Sequence, residues 1–255
     1  MTKFQEIPWP RIFAEGTAII VSILLAFWIQ AWWEGRQQQG DERIFLQSLL
    51  DDLGDKKKQL EHDKRYIKVI FESATTLLQT ATDADKHLTA GAIDKLIGNI
   101  VWYHNGDQWD SAPMSALAVG GDFVYISSPI LLRKLVALQN SFARIRGFYD
   151  NDKRFHYAAL TPFLMDHANL AQIYASIEHS PGDPTAIFEF PEIKVSTTRD
   201  HTALLSRDDF QGLLVIKIDG QLDILRSIRT QHLEEQLDEI ITMLEDELAN
   251  NAPSL

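Results

Sequence analysis

The chain has 255 residues, no cysteine and a formal net charge of −12, from 24 Lys and Arg against 36 Asp and Glu. The lack of cysteine excludes disulfide bonds and thiolate metal sites. The acidic balance argues against nucleic acid as a partner, because phosphate binding depends on clustered Lys and Arg.

An apolar stretch from Ile12 to Trp33 follows a short tail, residues 1–11. At about 1.5 Å of rise per residue, a helix over this stretch spans roughly 30 Å, the thickness of a bilayer's hydrocarbon core. Its end lacks the small residues of a signal-peptide cleavage site. Trp9 precedes the stretch and Trp32 and Trp33 end it, as interfacial aromatic anchors do. The sequence therefore predicts one transmembrane helix here, with the lipid bilayer as a partner.

One face of this helix carries small or amide side chains at every fourth position: Ala14, Ala18, Ser22, Ala26 and Gln30. Small residues at this spacing let two helices approach closely, and an amide can hydrogen-bond to its copy across the contact. Two interpretations fit, because alanine and serine are common in any span: an association face, or a surface that faces lipid. The first predicts a homo-oligomer or a membrane-protein partner.

Glu15 is the one charged side chain inside the stretch. Near the start of a helix its carboxylate complements the helix dipole and reaches headgroup water. An ionisable group that faces the inside of a helix assembly is instead a functional candidate, for example in binding cations or protons. Both roles stay open, and a single glutamate is weak support for a channel.

Positive residues flank the stretch almost equally, with Lys3 and Arg11 before it and Arg36 and Arg43 after it. The free amine adds to the first group, and the more positive side of a span stays in the cytoplasm. This balance favours a cytoplasmic amino terminus. The domain formed by residues 34–255 then faces the periplasm or the cell exterior.

Helical periodicity predicts three long helices in this domain. The first carries apolar residues at alternating steps of three and four from Leu46 to Ala81, a seam that Lys56 and Asp63 interrupt. Glycines before the seam permit a bend, although the helix can also continue directly from the membrane.

Capping signals mark the other two long helices. Ser128 followed by Pro129 predicts the start of the second, because serine caps a helix and proline suits its first turn. Ser206 with Asp209 resembles a capping box that opens the third. Prolines and glycines predict a long connection at about 180–205. Amphipathic helices bury their stripes most simply against one another, so the predicted fold class is an all-α bundle with long coiled-coil-like helices on one transmembrane helix.

The chain carries no motif of a common enzyme class. It lacks a Walker loop, a G-x-S-x-G elbow and an H-E-x-x-H helix. Acid–histidine neighbours such as Asp200-His201 are scattered, and adjacent residues on a helix do not face one another. The sequence therefore predicts a protein that is not an enzyme, with no catalytic residues, no cofactor and no metal site.

The segment 102–110 is the densest mixture of aromatic and polar groups outside the apolar stretch. Trp102, His104 and Trp109 in this segment suit the wall of a ligand pocket. More often such a segment is a loop that its tryptophans anchor to the bundle. Both interpretations stay open.

The anchor and the middle of the chain carry two recognisable blocks of residues. Glu15-Gly16 precede an aliphatic run that ends in Trp32-Trp33-Glu34, and the middle contains Ser115, Leu117, Gly120-Gly121, Ile126 and Leu131-Leu132. These residues resemble an uncharacterised family of bacterial single-span inner-membrane proteins with a helical domain of unknown function. The resemblance implies a bacterial inner-membrane location and supplies no catalytic residues.

Together these features indicate a function through assembly. We expect a non-enzymatic, membrane-anchored helical protein that is a self-associating scaffold or an accessory subunit of a membrane complex. The small-residue stripe and the interrupted seam support this hypothesis. A ligand-sensing extracytoplasmic helical domain is the alternative, and the segment 102–110 supports it.

Overall fold

The computed structural model describes most of the chain: residues 9–83, 85–102, 109, 111–115, 126, 128–177, 194–195 and 197–250. Side chains are described from Ile20 onward, except at position 38. The regular secondary structure of these residues is helical, without a strand, and the predicted all-α class is confirmed.

The longest element is α1, Trp9–Thr82, a helix of 74 residues that runs without a break from the apolar stretch into the domain. At about 1.5 Å per residue it is roughly 110 Å long. Lys56 and Asp63 lie in its seam and are buried. The apolar seam residues are buried as predicted: Leu46, Leu49, Leu53, Leu60, Ile67, Ile70, Ala74 and Leu77.

The remaining helices follow in chain order as α2 Ala90–Trp102, α3 Pro129–Phe155, α4 Thr161–His167, α5 Leu170–Ala175, α6 Asp208–Thr230 and α7 Leu233–Asn250. A π-helical turn, His156–Leu160, joins α3 to α4. A 3-10 turn, Thr202–Ser206, comes shortly before α6.

Polar contacts between helices define their directions. They are Lys57–Asp238 and Lys64–Glu234 between α1 and α7, and Lys134–Glu239 and Ser141–Gln236 between α3 and α7. In both sets, the contact residue on α7 has a lower number as the contact residue on α1 or α3 has a higher one. Therefore α7 is antiparallel to α1 and to α3, while α1 and α3 run in the same direction.

The start of α3 is as predicted, and a wide turn follows its end. Ser128 caps α3 by accepting a hydrogen bond of 3.4 Å from the backbone N–H of Leu131. After the π-helical turn, the N–H of Thr161 donates to the carbonyl of His156, five residues back. Proline lacks an N–H and its ring crowds the carbonyl four residues earlier, so this wider turn accommodates Pro162 within a continuous helical path.

Two expectations for the last long helix are wrong. The capping box of Ser206 and Asp209 does not form, because Arg207 holds the cap position and its guanidinium pairs with the Asp209 carboxylate. The predicted single helix is two helices, broken where His232 has a φ of 49°. Both α6 and α7 bury apolar stripes, so the hydrophobic pattern continues across the break and does not reveal it.

Two clusters of buried apolar side chains share α1. The cluster nearer the apolar stretch joins α1 to α3, α7 and the end of α6, and it includes Trp109 and Met114. The farther cluster joins the end of α1 to α2, α4, α5, the 3-10 turn and the start of α6, and it includes Phe210. The long first helix is therefore the axis on which both halves of the bundle assemble.

The predicted membrane span overlaps the start of α1. Within the part of the chain whose side chains are described, no helix has the combination of length and apolar character that a bilayer crossing needs. Residues 12–19 of the predicted span have no described side chains and lie outside that result.

Candidate functional site

Residues 20–33 of α1, here called the exposed apolar segment, present large apolar side chains to the surroundings. These side chains are Ile20, Val21, Ile23, Leu24, Leu25, Phe27, Trp28, Ile29, Trp32 and Trp33, with exposed fractions from 50% to 67%. Because they follow one another closely along a helix, they point to all of its sides. A helix that is apolar on all sides is normally surrounded by lipid or by protein.

The predicted association face and anchors lie partly on this segment. Ser22, Ala26 and Gln30 are exposed there, and the Gln30 amide donates a hydrogen bond of 2.9 Å to the Glu34 carboxylate. The guanidinium carbon of Arg36 lies over the ring of Trp32, 5.0 Å from the ring centroid. The remaining predicted residues have side chains outside the described part of the structure: Trp9, Ala14, Glu15 and Ala18.

Asp63 is a fully buried carboxylate in the middle of the bundle. Three donors hold it: the Tyr149 hydroxyl at 2.9 Å, the Trp109 indole N–H at 3.2 Å and the Gln59 amide at 2.6 Å. Burial raises the pKa of Asp63 above its usual value, and the three hydrogen bonds oppose that rise. Burial also raises the pKa of Tyr149, whose phenol therefore stays protonated and keeps its donor.

Trp109 is one of the residues predicted either to line a pocket or to anchor a loop. It is 2% exposed and its ring lies against Phe142 and Tyr149, at centroid distances of 5.4 and 6.3 Å. Its hydrogen bond to Asp63 ties this part of the chain to α1. These contacts fix Trp109 in the nearer core cluster of the bundle.

The other two residues of that prediction are placed differently. Trp102 ends α2, where it is half-buried and meets the ring of Tyr174 edge-on at 5.2 Å. It packs against the farther core cluster, whereas Trp109 belongs to the nearer one. The structure therefore does not bring the two tryptophans together, and His104 lies outside the described residues.

A cavity of about 160 Å³ lies beside Trp109. Its walls combine aromatic and polar side chains, among them Trp109, Ser111, Gln139, Phe142 and Arg146. A larger groove of about 640 Å³ lies at the break between α6 and α7, and Arg229, His232 and Lys64 of α1 are among the residues that line it. Each of these openings has apolar and charged walls, as small-molecule sites often do.

His201 forms a buried polar cluster that the sequence did not reveal. Its Nδ1 lies 2.6 Å from an Asp94 carboxylate oxygen, and its Nε2 accepts a hydrogen bond of 2.9 Å from the backbone N–H of Asn169. Because Nε2 is an acceptor, Nδ1 carries the proton and donates to Asp94. Gln172 donates to the second oxygen of Asp94 at 2.7 Å. With both ring nitrogens occupied, His201 is placed to hold the chain against α2 and α5, not to accept a proton from a substrate.

A buried ion pair joins α3 to α6. The Lys217 ammonium, fully buried, lies 2.9 and 2.8 Å from the two carboxylate oxygens of Asp152. The Gln221 amide donates a further hydrogen bond of 3.0 Å to the same carboxylate. The helical pattern of the sequence did not predict this ion pair. A lysine within a buried stripe appears only as an interruption of the apolar pattern.

Within the described ranges, no three His, Asp or Glu side chains come together as a metal site requires. In comparisons with known proteins, no family model, no curated protein and no solved structure matches the chain.

Proposed function

We propose that the protein is a membrane-anchored helical scaffold that associates with copies of itself or with a membrane-protein partner. In this proposal α1 crosses the bilayer over residues 12–33 and carries the bundle on one side. The observation that supports it is the exposed apolar segment, whose large apolar side chains are at least half exposed on every side of the helix. Lipid covers all sides of a helix at once, whereas a single protein partner covers mainly one.

The energies involved favour burial of this segment over solvent exposure. Burying one large aliphatic or aromatic side chain of this segment contributes roughly 1.5–3 kcal/mol. By comparison, an exposed ion pair on a protein surface contributes only about 0–1 kcal/mol. Trp32 and Trp33 stand at the end of the segment, followed by Arg36, as residues at a headgroup boundary do. In the proposed arrangement, the boundary of the bilayer therefore lies at Trp32, Trp33 and Arg36.

The location proposed is the inner membrane of a bacterium, with the domain 34–255 in the periplasm. Its support is the resemblance of the anchor to bacterial single-span proteins, whereas Lys3 and Arg11 before the span balance Arg36 and Arg43 after it. Because the chain has no cysteine, Glu245→Cys provides a single label site on α7. Labelling of intact spheroplasts by an impermeant maleimide is the expected result, and labelling only after lysis would contradict a periplasmic domain.

Membrane fractionation tests the anchor. The full chain, expressed in a bacterial host, is expected to stay in membranes washed with alkaline carbonate. Leu24→Arg combined with Leu25→Arg is expected to release it, because each arginine in the middle of a span costs about 2.5–3.5 kcal/mol. Met165→Arg is the matched control, because this apolar side chain is 66% exposed and lies on α4. A wild-type chain found in the soluble fraction would refute the anchor.

A second candidate is a ligand-sensing domain, and the cavity beside Trp109 is the observation that favours it. Arg146 supplies a cation in its wall and suits a small aromatic carboxylate. Benzoate is expected to raise the melting temperature of the wild type more than benzamide does, and to lose that advantage with Arg146→Gln. Equal effects of the two probes on the wild type would argue against this candidate.

A further inference from the structure

One face of α1 continues from the exposed apolar segment toward the bundle. It contains residues at alternating steps of four and three, here called the stalk face: Ala26, Gln30, Trp33, Gln37, Gly40, Ile44 and Gln47. All of them are exposed, and Ile44 reaches 71%. The mean step of three and a half residues is the period at which two helices wind around one another.

We propose that two copies of the chain pair in parallel along the stalk face, as a short two-stranded coiled coil from Ala26 to Gln47. The inference rests on the proposed function, because membrane anchors make the two copies parallel and place equal residues at equal heights. It names the partner of the scaffold as a second copy of this chain.

The described part of the bundle leaves the stalk face exposed. Glu42, Leu46 and Leu49 are buried and lie on the side of α1 that faces its own bundle. Ile44 lies two residues from both Glu42 and Leu46, and Gln47 lies two residues from Leu49. Two residues turn a helix by about 200°. Two bundles therefore stand on opposite sides of a central pair of α1 helices, without competing for the same face.

Charges beside the stalk face are complementary between two parallel copies. With Gln37 and Ile44 at a positions, Asp41 occupies an e position and Arg36 a g position of the heptad. In a parallel pair, a g residue faces the e residue five positions later on the other helix. Arg36 therefore faces the partner's Asp41, and twofold symmetry forms this pair twice. In the single chain the guanidinium of Arg36 lies over Trp32, at the surface.

The residue types of the stalk face suit close pairing. A Cβ atom added at Gly40 would meet nothing within 4 Å, so the single chain has no steric need for glycine there. Glycine inside a helix costs about 1 kcal/mol relative to alanine, and a close approach of two helices gives it a reason. Gln30 and Gln37 place amides at a positions, where polar side chains can set the register of a pair at a cost in stability. The same face becomes charged at Asp51 and Lys58, so the pairing ends before Asp51.

Cysteine crosslinking along the stalk tests this pairing. In the cysteine-free chain, each of Gln37, Gly40, Ile44 and Gln47 is replaced by Cys in separate variants, expressed in membranes and oxidised. Disulfide-linked dimer is expected to be at least five-fold more abundant than for Gln39→Cys and Phe45→Cys, which lie on other faces. If the dimer yield is no higher at the stalk-face positions than on the other faces, and the chains stay in carbonate-washed membranes, the pairing is overturned and the anchor is not. A chain in the soluble fraction would instead overturn the proposed function.

Charge exchange tests the parallel register. In the Ile44→Cys background, Arg36→Glu alone and Asp41→Arg alone are each expected to lower the dimer yield at least two-fold. The two changes together are expected to restore it, because the ion pair forms with reversed signs. Arg43→Glu is the matched control, since this g position faces the partner's Ser48 and its change is expected to leave the yield the same. Failure of the double exchange to restore the yield would overturn the register.

Discussion

The Tyr149 hydroxyl donates a hydrogen bond of 2.9 Å to a carboxylate oxygen of Asp63, which joins α3 to α1 in the centre of the bundle. The indole N–H of Trp109 reaches the same oxygen at 3.2 Å. A buried carboxylate is tolerated when protein donors replace the water that it loses. Asp63 therefore holds α3 and the residue Trp109 against α1. The same helix α1 also carries the exposed apolar segment.

Tyr149→Phe tests the importance of this bond for stability. The change removes one donor and leaves the carboxylate of Asp63 buried, so the free energy of unfolding is expected to fall by about 1–3 kcal/mol. Urea denaturation followed by circular dichroism of the domain in detergent measures it. Tyr157→Phe is the control, because Tyr157 is 53% exposed and its change is expected to stay within about 0.5 kcal/mol. Equal losses in both variants would contradict this role of Asp63.

The raised pKa of Asp63 predicts a particular pH dependence. The folded protein holds this proton more tightly than the unfolded chain does, because burial disfavours the carboxylate. The contribution of Asp63 to the free energy of unfolding therefore falls as the pH rises from about 4, the unfolded pKa, through the raised folded pKa.

Asp63→Asn removes this titration and isolates the contribution of Asp63. The free energy of unfolding of the wild type minus that of the variant is expected to decrease with rising pH, by about 1.4 kcal/mol for each unit by which folding raises the pKa. Urea denaturation at a series of pH values measures the difference. A difference that is constant or that grows with pH would show that the pKa is not raised.

The local pattern of the sequence predicted the helices well but not the polar contacts between them. The seam from Leu46 to Leu77 could be predicted because burial repeats along one helix face. Asp63 was visible only as an interruption of that seam, since Tyr149 lies 86 positions away along the chain. No single-sequence signal links residues at such separations.

The break between α6 and α7 shows a second limit of the sequence pattern. His232 has a positive φ, a conformation that most often belongs to glycine or asparagine, and neither residue stands at this position. Leu233 and Ile228, on the two sides of the break, are both buried. The hydrophobic pattern therefore continues through a turn that local propensity gives no reason to expect.

The ion pair of Lys217 and Asp152 predicts non-additive mutations. Lys217→Met alone leaves a largely buried carboxylate without its cation, and a loss of about 3–5 kcal/mol is expected. Lys217→Met combined with Asp152→Leu is expected to lose less than that single change, because no unpaired charge remains. Denaturation of the two single variants and the double variant measures the coupling, and simply additive losses would rule out a coupled pair.

His201→Ala is expected to loosen the chain around residues 197–201 where it meets α2 and α5. The change leaves the buried carboxylate of Asp94 without its imidazole donor, and a loss of about 1–3 kcal/mol is expected. Faster amide hydrogen exchange at 197–201 would locate the effect. His232→Asn is the control, because that side chain is 74% exposed and asparagine tolerates a positive φ. Unchanged exchange in the His201 variant would show that this contact does not hold the segment.

Two helical glycines predict opposite effects of the same substitution. Gly54 lies inside α1 and a Cβ there would meet nothing within 4 Å, so Gly54→Ala is expected to stabilise the domain by about 0.5–1 kcal/mol. Gly98 lies inside α2, where a Cβ would come within 2.6 Å of the Ile177 side chain. Gly98→Ala is therefore expected to destabilise the domain, because the displacement of Ile177 outweighs the same gain in helix propensity. Thermal denaturation of both variants measures the two signs, and a stabilised Gly98→Ala variant would show that Ile177 does not pack against α2 this closely.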